Sequence, residues 1–210
     1  GYQSATFSED RIYAETLAQG KSSRAMTLEE IYELVEKFAE AAWRVQRAGF
    51  DSVELHGAHG YLIDQFMSPY INQRNDRFGG SFINRMRFVL EIINRIKLKC
   101  GKSFPVGIRY SGDEWFEGAR TLEESIRIAQ LMEENGLAYV DISAGLFESP
   151  GAVMDPMYYP EGWNTYAAAE VKKHVRIPVI TSHSLRNPDY CEKILAEGKA
   201  DLVGFSRQLI

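Results

Sequence analysis

The chain has 210 residues, 45% hydrophobic and 25% charged, a balance that supports one domain with a sizeable core and excludes disordered, fibrous and membrane-embedded classes. Its 24 Lys and Arg against 29 Asp and Glu leave a net charge of −5, with basic residues scattered among acidic ones, so no nucleic-acid footprint is visible. Two distant cysteines form neither a disulfide framework nor a CxxC pair, and no signal-peptide or membrane-span pattern occurs, which makes a reducing cytoplasm the expected setting.

After an irregular opening stretch, Thr27-Leu28-Glu29-Glu30 reads as a capping box. Ile31, Leu34, Val35, Phe38, Ala42 and Val45 then recur at helical spacing, and Gly49 marks the helix end. Ser52–His56 follows as a short strand. A helix over about 84–99 leads through Gly101 to a strand at Pro105–Arg109. A second capping box, Thr121 with Glu124, opens a helix to about Glu134, and Gly136 precedes the strand Tyr139–Ser143. The stretch Leu146–Asn164, rich in Gly, Pro and aromatics, reads as a long loop suited to a lid or a subunit contact. A helix around Ala167–His174 precedes a strand at Ile177–Thr181. Asn187-Pro188 is an N-cap and first-turn pair for a helix to about Ala196, and Ala200–Phe205 is the last strand.

Helices alternating with short apolar strands predict an α/β fold with a parallel sheet covered by helices. A dinucleotide-binding sheet would carry GxGxxG after a strand, and none occurs. His56, Arg109, Ser143, Thr181 and Ser206 instead crowd the C-terminal strand ends, where a (β/α)8 TIM barrel builds its active site. Some five strands against the barrel's eight predict a partial barrel, with residues 1–210 as one domain from the central and C-terminal portion of a larger protein.

The densest polar cluster is Glu54–Tyr61, at a strand end and in the loop beyond it. His56 and His59 are suited to holding a carbonyl or carboxylate oxygen between two N–H donors while Tyr61 supplies a proton. As metal ligands the two imidazoles would need a third partner, and no HExxH or similar spacing accompanies them. Ordinary strand-end residues satisfied locally are the third reading of the same residues.

The run Gly49–Leu62, with Asp64-Gln65-Phe66, Asn72–Asp76, Phe78–Ser81 and Asn84–Phe88, closely resembles the old yellow enzyme family of NADH:flavin oxidoreductases. It is most similar to that family's enoate reductase and 2,4-dienoyl-CoA reductase branch, and the similarity continues through Pro105–Ser111 and Ile177–Leu209. The resemblance implies a flavin mononucleotide (FMN) enzyme, with NADH or NADPH as reductant, that reduces the activated double bond of an α,β-unsaturated carboxylate, ketone or thioester. It implies that His56 and His59 bind the substrate's activating oxygen and that Tyr61 protonates the α-carbon. Arg109 would face the flavin pyrimidine, although a strand-end salt bridge is its ordinary role. Ser182, His183, Ser206 and Arg207 would form the phosphate cradle. Many relatives have glycine where Ser182 and Ser206 stand, which leaves Arg207 as the firmest of these four. A 4Fe–4S cluster and an FAD domain, carried by relatives in this branch, would lie past Ile210.

Two other functions are open at this level. One is a non-catalytic homo-oligomer, assembled because an open parallel sheet exposes unpaired edges. The other is a metal-dependent barrel hydrolase, which would hold zinc or manganese. Asn72, Arg74, Asp76, Arg85 and Arg87 read as a structural network pinning the loop after Tyr61, and His174 as a surface or capping residue. Trp115, Phe116, Phe147, Tyr158, Tyr159 and Trp163 fall in loops and receive no role.

Overall fold

A computed structural model describes residues 24–155 and 158–206. Arg207, expected in the phosphate cradle, lies outside the described residues. The chain divides into two compact units, one of residues 1–53 and 60–105, the other of 54–59 and 106–210.

The first unit contains α1 (Leu28–Arg47), α2 (Leu62–Met67) and α3 (Phe82–Cys100). The capping box that opens α1 forms as the sequence predicts: Glu30 N donates to Thr27 Oγ1 at 3.2 Å, and Thr27 N donates to Glu30 Oε2 at 2.8 Å. Ile31, Val35, Ala39 and Ala42 form its buried stripe. α1 packs on α3, where Phe38 meets Phe88 edge-on at 6.3 Å and Phe88 lies 4.2 Å from the Phe66 ring of α2. Helix α2 has six residues, too few to show a period, and sequence patterning does not predict it.

The loop between α2 and α3 is held by polar side chains aimed at backbone groups. Asn72 Nδ2 donates to Phe66 O and Phe78 O, and Arg74 donates to Met26 O and pairs with Asp76 at 2.6 Å. Arg85 Nε donates to Met67 O and Arg87 Nε to Arg77 O. This is the predicted structural network, and apart from the Arg74–Asp76 ion pair each bond satisfies a backbone carbonyl.

The second unit carries the sheet: β1 (Val53–Gly57, its first residue counted in the other unit), β2 (Val106–Ser111), β3 (Tyr139–Ser143), β4 (Val179–Thr181) and β5 (Leu202–Val203). The strands lie in sequence order, and β2 to β5 pair in parallel. A doubly wound sheet reverses its strand order at a switch point; this one does not, which is the winding of a (β/α)8 barrel, here five strands of it. Between the strands run α4 (Leu122–Glu134), α5 (Pro150–Met154), α6 (Thr165–Lys172) and α7 (Pro188–Ala196). α6 packs against β3, β4 and α4. Cys191 and Ile194 of α7 close over Leu185 and Ala200, with Val203 of β5 beside them.

Three local expectations need correcting. Thr121 makes no side-chain cap bond, so the second capping box does not form; α4 still begins at Leu122, with Glu123 and Glu124 in a first turn that favours negative charge. β4 and β5 are shorter than predicted, since Pro178 has no N–H for a ladder and β5 contributes two residues. The long loop contains α5, again too short to show a period. Among the described residues no helix is long and apolar enough to cross a membrane.

Candidate active site

The C-terminal ends of β1 to β4 bring together most of the residues singled out from sequence. The parallel register of β2 and β3 places Arg109 beside Asp141 and Ser111 beside Ser143. Arg109 Nη1 pairs with Asp141 Oδ2 while its Nη2 donates to Ser143 Oγ at 3.1 Å. The strand-end salt bridge is therefore present, and the same arginine also lines a cavity of about 440 Å³, within the range of small-molecule and cofactor sites. Burial pushes the Asp141 carboxyl up, with Arg109 drawing it the other way, and burial likewise raises Glu54.

His56 is exposed on β1, and its ring lies 5.1 Å from that of His59. Just past the strand, His59 has φ of 65° and is held at two points. Its N–H donates to Ser111 Oγ at 3.2 Å, and its Nε2 lies 2.7 Å from Ser143 Oγ. Burial, together with the facing His56, Arg109 and His183, pushes its pKa down to about 3, so the ring is neutral at neutral pH and carries one proton. Tyr61 is the N-cap of α2 in the first unit and is half exposed. Ahead of it, Gly60 is pinned by Asp64 and Gln65.

Ser182, His183, Gly204 and Ser206 all line the cavity. A Cβ on Gly204 would come 3.3 Å from Ser182 Cβ, so the glycine keeps this wall open. His183 and Ser184 have φ of 83° and 50°, a strained pair of left-handed residues. The His183 ring faces Ser143 Oγ through Nε2 at 3.1 Å, Asp155 Oδ2 through Nδ1 at 3.9 Å, and the Trp163 ring at 5.4 Å. His174, by contrast, is exposed after α6 and belongs to no cluster.

Sequence reading missed Asp141 and Asp155. A carboxylate inside the apolar strand Tyr139–Ser143 was a usable signal for the first, because an uncompensated charge there costs too much to persist. Asp155 follows a helix that shows no period, and only the fold brings it to His183.

A cofactor can be tested against two orphaned groups in this cavity. Asp141 Oδ1 and Ser182 Oγ are buried and have no hydrogen-bond partner among the described residues. With Arg109 as a fixed cation, these polar groups and the open wall at Gly204 fit the polar ring edge and phosphate of FMN. No three His, Cys, Asp or Glu side chains among the described residues converge to hold a metal ion.

Fold and cavity together define a ligand-binding (β/α) barrel whose polar groups gather at the strand C-termini. The chain belongs to the NADH:flavin oxidoreductase / NADH oxidase family, whose model matches residues 3–210. It is 51% identical over 191 residues to an NADH oxidase of Thermoanaerobacter brockii, covering 91% of this chain and 29% of that protein. It is 34% identical to a cinnamate reductase of Clostridium sporogenes, covering 91% and 31%. A solved structure of 2-naphthoyl-CoA reductase with 2-naphthoyl-CoA superposes with a TM-score of 0.83 at 34% identity, covering 87% of this chain and 28% of that one. The chain thus spans under a third of the length of each of these three proteins. The family is the one its sequence resembles, with FMN and NADH or NADPH as its cofactors.

Proposed function

We propose that the protein is a flavin-dependent ene-reductase acting on an α,β-unsaturated carboxylate, ketone or thioester. The observation that carries this reading is the His56–His59 pair beside Arg109: two imidazoles 5.1 Å apart, one of them held neutral by burial. Reduced FMN, when bound, supplies hydride for the substrate's β-carbon. The chain's part is to make that carbon electrophilic. His56 and His59 donate to the substrate's activating oxygen and stabilise the negative charge that develops there. A neutral His59 suits this role, since it donates one hydrogen bond without surrendering a proton to the oxygen. Tyr61 delivers the proton to the α-carbon. Arg109 would set a positive charge at the flavin's pyrimidine edge, and Ser182, His183, Ser206 and Arg207 would hold its phosphate. The names of the cinnamate and 2-naphthoyl-CoA reductases support an unsaturated acid or thioester as substrate.

The test separates the two half-reactions by stopped flow. Tyr61→Phe leaves flavin reduction by the nicotinamide unchanged and slows alkene reduction by about 10²-fold or more. Both half-reactions at wild-type rate would exclude Tyr61 as donor. His56→Ala weakens phenol and carboxylate binding about tenfold through loss of one hydrogen bond, and unchanged affinity removes it from the oxygen site.

A further inference from the structure

Ser143 is fully buried at the end of β3, and three groups converge on its hydroxyl. Arg109 Nη2 donates at 3.1 Å, His59 Nε2 lies at 2.7 Å and His183 Nε2 at 3.1 Å. A serine hydroxyl has one proton to give and two lone pairs to fill. Arginine only donates, so it takes one lone pair. One lone pair and one proton then remain for two imidazole nitrogens. Both contacts are made only if one ring donates its Nε2–H and the other accepts through a bare Nε2.

We infer that Ser143 is a positioning residue that locks His59 and His183 into opposite protonation at Nε2, with His59 the acceptor. The inference rests on reading His59 as a donor to the substrate's oxygen, and it names what makes that donor available. A neutral His59 has a single ring proton. If its Nε2 accepts from Ser143, that proton stands on Nδ1, the one nitrogen left to donate to a ligand. If its Nε2 donates instead, Nδ1 is bare and repels an oxygen lone pair. On the other side, His183 gives its Nε2–H to Ser143, and the Asp155 carboxylate lies 3.9 Å from its Nδ1, beyond hydrogen-bond reach. Asp155 is itself fixed by Trp163 Nε1.

The test is the imidazole ¹⁵N spectrum of the flavin-loaded chain, which its four histidines keep assignable. The expected result is His59 protonated at Nδ1 and bare at Nε2, with His183 protonated at Nε2. His59 carrying the Nε2 proton, or the two rings sharing one Nε2 state, would overturn the inference without any variant being made. Ser143→Ala is expected to give His59 as a mixture of tautomers and to raise the Kd of 4-chlorophenol about tenfold, with Ser143→Thr restoring both. An unchanged His59 tautomer in Ser143→Ala also overturns it. Opposite tautomers in the wild type together with unchanged 4-chlorophenol affinity in His59→Ala would defeat the oxygen-site reading and still support the serine's role.

Discussion

The two units meet the same backbone demand in different ways. In the first, every left-handed position among the described residues is glycine: Gly49, Gly60, Gly80 and Gly101. In the second, His59, Trp115, Asp155, His183 and Ser184 take left-handed φ with full side chains. Buried polar groups divide likewise. The helical unit spends Asn72, Arg74 and Arg85 on its own backbone carbonyls, whereas the sheet unit leaves Asp141 Oδ1, Thr181 Oγ1 and Ser182 Oγ without partners among the described residues. One region is arranged for its own stability. The other accepts strain and incomplete solvation at the strand ends, as binding sites do.

The largest expected expression of that difference is an acid dependence traced to His59. Its folded-state pKa is depressed, so the unfolded chain takes up a proton that the fold refuses. Its stabilising effect is complete above pH 6.5 and is lost as pH falls toward 3, by about 1.4 kcal/mol per unit. The raised carboxyls of Glu54 and Asp141 act in the opposite sense, so the measurement is the difference between wild type and His59→Asn in urea midpoints from pH 7 to 4. Parallel curves would remove the strain argument at its strongest point.

Next comes Gly79→Ala in the helical unit. Its Cβ would stand 2.2 Å from the carbonyl oxygen of Arg74, a backbone group fixed by the loop network, so a loss of about 3 kcal/mol is expected in denaturant melts. A loss under about 1 kcal/mol would mean that this loop yields and the regions are alike. The smallest effects form a pair of opposite sign. Gly80→Ala, at φ 78° with open space around it, destabilises by about 1 kcal/mol, while Ser184→Gly, at φ 50°, stabilises by about 0.5–1 kcal/mol and weakens flavin retention. Equal signs in calorimetric melting would break the comparison.

Much of this was legible before the coordinates. The α1 capping box and the β3 limits are local signals, written in neighbouring residues, and they form as read. Thr121 carries the same signature and does not cap, because a box motif states what two side chains are able to do and tertiary contacts decide whether they do it. Strand order needs long-range pairing, so periodicity alone does not separate barrel from doubly wound sheet; the missing GxGxxG and the polar strand ends favoured the barrel, and β1 to β5 in sequence order agree with it. At the site, residue type at strand ends marked His56, His59 and Arg109 as candidates, and the resemblance supplied the roles expected of them. Their geometry was not legible: the Arg109–Asp141 pairing and the meeting of His59 with His183 at Ser143 depend on register between strands.

The division of the chain at residues 54–59 bears on the order of events during synthesis. β1 leaves the ribosome well before Val106, where its neighbour β2 begins, so the histidine-bearing strand waits for that partner while residues 60–105 are made. Those residues belong to a compact helical body, and a folded insert shortens the effective loop that β1 and β2 must close. Helix formation in the nascent segment therefore sets how soon a sticky, half-finished sheet edge is hidden from other chains.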